Sequence, residues 1–168
     1  MKLRTIKVEP LRLESFLPFG RYEHFIDPDR EKIGAAPLEF FRDMLPLDLG
    51  VNQTPSFSVC RVEEREPVIN TTEYHSACGE GVMPLDGDVL VHVGPATPPE
   101  ETPPLDRFRV FRIPCHTFVA LNPGVWHHAP FTISGDTVNC LIVLPTRTYA
   151  TDCTVFELPR ENWIRIEQ

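Results

Sequence analysis

The stretch Thr72–Gly87, "TEYHSACGEGVMPLDG", carries the pattern from which the fold of this chain can be predicted. Glu73 and His75 stand two residues apart, so on a β-strand their side chains point to the same face. Glu80 follows five residues later, behind a Cys-Gly pair, and only a turn there brings its carboxylate back to the same pocket. An Asp-Gly turn ends the stretch. The pattern predicts two strands, joined by a turn, whose polar side chains share one pocket.

A second stretch, "NPGVWHHAP" at Asn122–Pro130, places two adjacent histidines directly behind an Asn-Pro-Gly turn. Neighbouring residues on a strand point to opposite faces. Only one of the two histidines can therefore point into a barrel. We expect His127 to point inward, toward the polar pocket of the first stretch. We expect His128 to point the other way or to lie at the rim.

Around these two stretches, short segments with a period of two alternate with turn signals at roughly ten-residue spacing. This pattern predicts a mainly all-β fold, an antiparallel sandwich or barrel with short helices in the N-terminal part. "RLESFLPFG" is expected to form a short helix, residues 21–55 an irregular cover or short edge strands, and Gly94–Leu105 a surface loop. The C-terminal "TVFELPRENWIRIEQ" is expected to give one more strand and a short helical end. The predicted strand segments are "FSVCRV", "PVINTTEYH", "GVMPL", "DVLVHVG", "RFRVFRI", "HTFVAL", "HHAPFTI" and "TVNCLIVL".

Length and composition set the class of protein. The 168 residues, 42% hydrophobic, predict a single domain over residues 1–168. The longest apolar run, Val138–Leu144, is too short to span a bilayer. The net charge is −8 and there is no basic patch, which argues against a nucleic-acid partner. The first residues lack the apolar stretch of a signal peptide, so we expect a cytoplasmic protein without a membrane partner.

The five cysteines are scattered, odd in number and lack CxxC spacing. This argues against a disulfide framework and against a zinc ribbon. We expect them to be reduced, mostly buried core residues without a catalytic role.

The first stretch and His127 together offer two imidazoles and two carboxylates. Glu73, His75, Glu80 and His127 are thus candidate ligands of a divalent first-row metal ion, with Ni or Mn favoured and Zn or Fe left open. The alternative is that the two carboxylates serve as acid-base groups without a metal.

These spacings resemble the two-part signature of the cupin superfamily, H-x-H-x(3,4)-E-x6-G followed by P-x-G-x2-H. Glu73 stands at the first histidine of that signature, Asn122 at the first proline of the second part, and Phe131 at the asparagine that usually follows the last histidine. The resemblance implies a cupin-like β-barrel, the double-stranded β-helix.

A narrower resemblance extends across most of the chain. "EYHSACGEGVMPLDGDVLVHV" is similar to the E-x-H-x4-Q-x6-G stretch of the ureidoglycolate lyase family, and "GVWHHAPF" resembles its V-W-H-H-P segment. The opening "IKVEPLRLESFLPFG", the strand "FSVCRV" and the closing "DCTVFELP" also resemble that family. The resemblance implies cleavage of ureidoglycolate to glyoxylate and urea in allantoin and purine catabolism, a divalent metal, and a homodimer.

The resemblance also implies roles for individual residues. Glu73 or Glu80 would take the substrate hydroxyl proton, and His128 or another donor would protonate the departing urea. Arg61 would pair with the carboxylate of the small-molecule substrate, and Trp126 would lie nearby in the substrate-binding part. The alternatives are that Arg61 is a plain surface arginine and that Trp126 packs at the barrel mouth.

Several positions depart from the family pattern. Glu80 replaces a glutamine, Asp86 a lysine, and Asn122 and Pro123 a histidine and an arginine. Positive groups that could hold a carboxylate are therefore missing. Two other functions stay open: a different metal-dependent cupin enzyme acting on a small oxygenated acid, and a non-catalytic cupin that binds a ligand.

Overall fold

A computed structural model describes residues 3–133 and 135–168. Within these residues the chain is built mostly of short strands, which confirms the predicted mainly β fold. The α-helices are α1 (Leu13–Phe16) and α2 (Thr148–Thr151), and 3-10 turns lie at Leu105–Arg107 and Arg160–Asn162. The strands are β1 (Arg4–Pro10), β2 (Gly20–His24), β3 (Ile33–Ala35), β4 (Leu38–Phe40), β5 (Pro55–Val62), β6 (Val68–Ile69), β7 (Thr71–Tyr74), β8 (Glu80–Pro84), β9 (Val89–Val93), β10 (Arg109–Ile113), β11 (Thr117–Leu121), β12 (Phe131–Thr132), β13 (Val138–Pro145), β14 (Thr154–Glu157) and β15 (Ile164–Glu167).

Two curled sheets face each other and form the barrel. The six-stranded sheet has the order β12-β9-β10-β1-β15-β6, and the five-stranded sheet has the order β2-β11-β8-β13-β5. The predicted antiparallel pairing holds throughout the five-stranded sheet. In the other sheet β1 runs parallel to both β10 and β15. Parallel neighbours need long connections, and β1 is far from both partners along the chain.

The main hydrophobic core lies between the two sheets. Val89, Val91 and Val93 of β9 contribute from one side, and Val119 and Leu121 of β11 from the other. The alternate residues of β9 point outward into a second apolar cluster around Trp126. β9 is therefore buried on both faces, which explains why every residue of this strand is buried although it includes a histidine.

β7 and β14 form a separate two-stranded sheet. The chain turns between Tyr74, at the end of β7, and Glu80, at the start of β8, as the sequence predicted. The segment "HHAPFTI" differs from its prediction: only Phe131–Thr132 is a strand, and His127 joins Glu73 through an isolated bridge. The C-terminal end is also not helical, since residues 164–167 form β15 beside β1. A strand here completes the six-stranded sheet, which a helix could not do.

The remaining segments agree with the sequence-based expectations. The short helix α1 lies where it was predicted, and residues 21–55 form edge strands and the β3–β4 hairpin. All five cysteines are free, but only Cys78 and Cys140 are buried, whereas Cys60, Cys115 and Cys153 are partly exposed, so the expectation that most of them are buried is wrong. None of the helices in the described parts of the chain is long and apolar enough to cross a membrane.

Candidate functional site

Three side chains meet where β7 ends and β8 begins: His75, Glu80 and His127. The Nε2 atom of His75 lies 3.1 Å from Oε2 of Glu80, and the Nε2 atom of His127 lies 3.2 Å from the same oxygen. All three residues are buried, with exposed fractions of 2%, 6% and 4%. Three of the four predicted ligands thus converge on one point in the protein interior.

The local backbone explains why these residues converge. His75 directly follows β7, and Glu80 is the first residue of β8. The Asn-Pro-Gly turn docks on this loop, because the backbone N–H of Gly124 donates to the carbonyl oxygen of His75 at 2.7 Å. Gly124 has a φ of 78°, a left-handed conformation that glycine adopts without strain. Two backbone hydrogen bonds between His127 and Glu73, of 2.6 and 2.8 Å, then fix the segment that carries His127.

Backbone carbonyls set the orientation of both imidazoles. The Nδ1–H of His75 donates to the carbonyl oxygen of Asp152 at 2.7 Å, and that of His127 donates to the carbonyl oxygen of Val125 at 2.8 Å. Each Nε2 is therefore the atom that faces Glu80. A carboxylate oxygen is an acceptor, so contact with Nε2 requires either a proton on that nitrogen or a cation between the two atoms.

The electrostatics of the metal-free cluster follow from this contact. Burial raises the pKa of Glu80, but the charges and hydrogen bonds of His127 and His75 outweigh it and lower the pKa to about 2. Burial lowers the pKa of His127, but the charge and the hydrogen bond of Glu80 outweigh it, and the pKa is raised. Without a metal ion, Glu80 and His127 stabilise each other as a buried ion pair.

The same geometry fits a divalent ion. Ligand atoms at about 2.1 Å from an ion, at tetrahedral or octahedral angles, lie about 3.0–3.4 Å apart. The two Nε2–Oε2 distances of 3.1 and 3.2 Å fall in that interval. Two imidazoles and a carboxylate form a donor set that first-row divalent ions accept. His75, Glu80 and His127 could therefore hold such an ion with little rearrangement.

Glu73, the fourth predicted ligand, lies beside this cluster. It forms an overlapping group with His75 and Cys153, in which the ligand atoms lie within 4.8 Å of one another. The thiol of Cys153 donates to Oε2 of Glu73 at 3.5 Å. Burial and the charge of Glu73 raise the pKa of Cys153 to about 12. The carboxylate of Glu73 is thus directed toward the thiol.

Sequence reasoning missed Cys153 and two other residues near the site. Tyr149, on α2, packs edge-on against the imidazole of His75 with ring centroids 6.0 Å apart. Arg65 donates from Nη2 to the carbonyl oxygens of Ala129 and Pro130, at 2.8 and 2.7 Å. All three lie outside the two motifs, and the sequence carries no signal that would have singled them out.

The guanidinium of Arg65 is fixed close to the second histidine of the pair. It stacks over the ring of Phe131 at 3.7 Å. His128 is partly buried, and burial lowers its pKa, with the charge of Glu73 opposing that change and the charge of Arg65 adding to it. The charges of Glu73 and Arg65 thus act on the His128 imidazole in opposite directions, and His128 is less buried than its neighbour His127.

The structure does not bring Arg61 or Trp126 to the cluster. Cys60 and Val62 point into the barrel from β5, so Arg61 points outward, where its side chain is 66% exposed and lies 3.5 Å from Glu63. Trp126 is 1% exposed and packs in the second apolar cluster, with its indole N–H donating to Oγ1 of Thr97 at 3.0 Å. Neither position supports the predicted contact with a substrate.

The curled sheets and the buried histidine–glutamate cluster at one end define a cupin-type barrel. The sequence model of the ureidoglycolate lyase family matches residues 3–165. The chain therefore belongs to the ureidoglycolate lyase family.

Relatives with that name have low sequence identity to this chain. The ureidoglycolate lyase of Pseudomonas entomophila (strain L48) is 26% identical over 134 residues, which is 78% of this chain and 79% of the relative. The ureidoglycolate lyase of Stutzerimonas stutzeri (strain A1501) is 27% identical over 134 residues, 78% of each chain.

Among solved structures, similar chains include the oxalate decarboxylase of Bacillus subtilis, in a study of its Mn(II) centres. It aligns with a TM-score of 0.44 and 14% identity, over 64% of this chain and 25% of that chain. The structure of oxalate decarboxylase from Bacillus subtilis at pH 4.6 gives a TM-score of 0.44 and 13% identity, over 64% of this chain and 24% of that one. This chain thus spans about a quarter of the length of those proteins.

Proposed function

We propose that this protein is a lyase that cleaves ureidoglycolate to glyoxylate and urea. The observation that carries the proposal is the buried cluster of His75, Glu80 and His127 in a chain of the ureidoglycolate lyase family. Ureidoglycolate carries a hydroxyl, a carboxylate and a urea nitrogen on one carbon. The reaction moves a proton from the hydroxyl to that nitrogen, forms the carbonyl of glyoxylate and breaks the carbon–nitrogen bond.

A divalent ion would be held by His75, Glu80 and His127. Such an ion acts as a Lewis acid that neutralises the substrate carboxylate and lowers the pKa of the hydroxyl. Ni or Mn remains the proposed ion for a site of imidazoles and carboxylates, with Zn or Fe as alternatives.

Two neighbouring residues would move the proton. Glu73 is proposed as the base for the hydroxyl, since it lies beside the cluster, whereas the Oε2 atom of Glu80 is in contact with both imidazoles. His128 is proposed to protonate the departing nitrogen. Its lowered pKa makes the protonated imidazole a stronger acid but favours the neutral form in the free protein, an effect that the charge of Glu73 opposes only in part.

The substrate carboxylate is assigned to Arg65 rather than to Arg61. A guanidinium presents donors in a plane that matches a carboxylate. The hydrogen bonds of Arg65 to the carbonyl oxygens of Ala129 and Pro130 use Nη2, and they fix the guanidinium near His128. We also propose a homodimer, as the family resemblance implies, and light scattering coupled to gel filtration would measure its mass. A cytoplasmic location is a separate proposal.

The deciding experiment is glyoxylate release from racemic ureidoglycolate. It compares metal-stripped protein with protein to which Ni or Mn has been restored. We expect metal-dependent release that His127→Ala abolishes. The matched control is His116→Asn, which removes an exposed imidazole at the far end of β8 and suits the positive φ of 61° there. Folded, metal-loaded protein that releases no glyoxylate would refute the proposal.

A second candidate is a different metal-dependent cupin enzyme acting on a small oxygenated acid. The observation that favours it is the turn before Trp126, where Asn122 and Pro123 provide no positive charge. Asp86, at another departing position, accepts hydrogen bonds from the backbone and side chain of Asn139 at 2.7 and 2.6 Å. Identification of the product separates the two enzymes, and turnover separates both from a non-catalytic binding protein.

A further inference from the structure

We propose that His92, through the hydroxyl of Thr72, is a positioning residue that holds the segment carrying His127 in its place beside Glu80. The inference rests on the proposed function and deepens it, because it concerns the same cluster. His92 lies on β9, outside the segments that supply the candidate ligands, and the proposed reaction gives it no role.

Two hydrogen bonds connect His92 to the backbone of His127. The Nε2 atom of His92 lies 3.2 Å from Oγ1 of Thr72, and the Thr72 hydroxyl donates to the carbonyl oxygen of His127 at 3.1 Å. His92 and Thr72 are 1% and 0% exposed, so bulk water does not compete for either bond. The ring of His92 stacks on Phe108 with centroids 5.6 Å apart, and this contact helps to fix the direction of Nε2.

The direction of these bonds defines the tautomer of His92. A carbonyl oxygen only accepts, so the single hydrogen of the Thr72 hydroxyl is used for His127. Oγ1 of Thr72 is then the acceptor toward His92, and the proton of that bond lies on Nε2. Burial lowers the pKa of His92 well below its ordinary value, and nearby positive charges act in the same direction. The imidazole is therefore neutral, with a proton on Nε2 and none on Nδ1.

Packing alone does not account for a histidine at this position. Its Nδ1 atom is buried and has no hydrogen-bond partner in the part of the chain that the structure describes. A buried acceptor without a partner destabilises a fold, whereas an apolar side chain in the same place would not. Leu90, two residues earlier on the same face of β9, is such a side chain. What the imidazole of His92 adds over a leucine is the Nε2–H donor for Thr72.

The segment around His127 depends on such support because it is not part of a regular strand. His127 meets Glu73 through an isolated bridge, and β12 begins only at Phe131. The Thr72 hydroxyl adds a side-chain hydrogen bond to the two backbone bonds between His127 and Glu73. Because Thr72 directly precedes Glu73, it also fixes the candidate base relative to the candidate ligand. A displaced segment would carry the Nε2 atom of His127 away from Oε2 of Glu80, which lies at 3.2 Å.

Metal affinity tests the role of Thr72 without turnover. Thr72→Val removes the hydroxyl and nearly keeps the shape of the side chain, whereas Thr72→Ser retains the hydroxyl. Calorimetric titration of metal-stripped protein with Ni²⁺ should give an affinity about tenfold lower in Thr72→Val and within about twofold of wild type in Thr72→Ser. The matched control is Thr117→Val. The Thr117 hydroxyl is equally buried and lies 2.8 Å from Nδ1 of His24, at the opposite end of β11 from the residue paired with Glu80.

Two variants test His92 itself. His92→Leu should weaken Ni²⁺ binding and lower kcat for glyoxylate release, each about threefold to tenfold, with a KM within about twofold of wild type. The free energy of unfolding should not decrease, because the unpartnered Nδ1 is removed as well. His92→Gln keeps an N–H donor and should recover most of both losses. The double variant of His92→Leu with Thr72→Val should lose no more than Thr72→Val alone, since both act through one hydroxyl.

Nitrogen-15 NMR of the imidazoles in metal-free protein gives a readout that needs neither metal nor substrate. It should show a neutral His92 protonated on Nε2 alone, and a shifted His127 imidazole in Thr72→Val. A proton on Nδ1 of His92, or an unchanged His127 in folded Thr72→Val, would overturn the inference whether or not Ni²⁺ binds. An equal loss of Ni²⁺ affinity in Thr117→Val would overturn it as well. Wild-type protein that shows the expected order of Ni²⁺ affinities and releases no glyoxylate would refute the proposed reaction alone.

Discussion

The imidazole of His75 is held by the backbone of Asp152, whose carbonyl oxygen accepts its Nδ1–H at 2.7 Å. The carboxylate of Asp152 also accepts three hydrogen bonds. Two come from Ser76, at 2.9 Å from its backbone N–H and 2.7 Å from its hydroxyl, and one comes from the backbone N–H of Ala77 at 2.8 Å. One residue near the C-terminus therefore fixes both a candidate ligand and the loop that leads from it toward Glu80. Such supporting contacts orient a ligand and strengthen metal binding.

Removing this carboxylate should loosen the metal site. We predict that Asp152→Ala weakens the binding of a divalent ion by about tenfold, because the loop after His75 loses three hydrogen bonds. Isothermal titration calorimetry on metal-stripped protein measures the change. Asp152→Asn retains an acceptor oxygen, so its affinity for the divalent ion should lie between those of the wild-type protein and the alanine variant.

A matched control is available at the turn before β9. The carboxylate of Asp88 accepts the backbone N–H of Cys115 at 2.8 Å and the Nε–H of Arg112 at 2.9 Å. Asp88→Ala removes a comparable carboxylate clamp away from the cluster, so it should leave metal affinity unchanged. Equal losses of affinity in the two alanine variants would show that Asp152 has no special connection to His75.

The stability of the metal-free protein should depend on pH through Glu80. Its pKa falls from 4.5, the ordinary value, to about 2 in the folded chain. A depressed carboxylate pKa contributes stability that is present above pH 4.5 and is lost as the pH falls through about 2. The shift corresponds to about 3 kcal/mol. The His127 pKa is raised, so its contribution is complete below the unfolded pKa and is lost as the pH rises through the folded one.

Urea unfolding with a chelator present measures the acid side of this profile. We predict that the free energy of unfolding of the wild-type protein, relative to Glu80→Gln, decreases by about 3 kcal/mol between about pH 5 and pH 2. The glutamine variant is the control, because it keeps the shape of the side chain and does not titrate. A constant difference between the two proteins across this interval would mean that Glu80 is not held as a buried anion.

Two arginines that are close in sequence should differ in their effect on catalysis. Arg65 is fixed near His128, whereas the side chain of Arg61 is 66% exposed on the outer face of β5. We predict that Arg65→Met raises the KM for ureidoglycolate about tenfold, as expected when a charged hydrogen-bonding partner is lost. Arg61→Met should leave the KM unchanged. Arg65→Lys keeps the charge without the planar donors and should give an intermediate value.

Steady-state glyoxylate release gives these constants, and thermal unfolding of each variant shows whether the fold is intact. A raised KM in Arg61→Met together with an unchanged KM in Arg65→Met would return the binding of the substrate carboxylate to Arg61, as the sequence predicted. An unchanged KM in both variants would mean that neither arginine binds the substrate carboxylate and that the metal ion alone would do so.

The sequence predicted the barrel and most of the cluster because both depend on local patterns. Strands of period two were recognisable, and the spacing from His75 to Glu80 brings the carboxylate back after one turn. Cys153 could not be predicted, since it reaches His75 only after the whole barrel has formed. The hydrogen bond from that thiol also explains why Glu73 lies beside the cluster rather than within it.

The exposed position of Arg61 could not be predicted for a different reason. The alternation of "FSVCRV" correctly placed Phe57, Val59 and Arg61 on one face, but alternation alone does not tell which face is buried. Phe57 and Val59 are 69% and 62% exposed, so the apolar face of this edge strand is the outer one. The smaller Cys60 points into the barrel instead.

Trp126 provides the last prediction, which concerns stability rather than catalysis. Its ring packs edge-on against Tyr74, with centroids 4.6 Å apart, and its indole N–H is bound to Thr97. We predict that Trp126→Ala lowers the free energy of unfolding by about 3–5 kcal/mol, the usual cost of deleting a buried aromatic side chain. Trp126→Phe should lose less stability and should keep the wild-type KM, because the side chain points away from the cluster. Urea unfolding and steady-state kinetics on the phenylalanine variant decide the question: a raised KM in a protein of near-normal stability would place Trp126 in contact with the substrate.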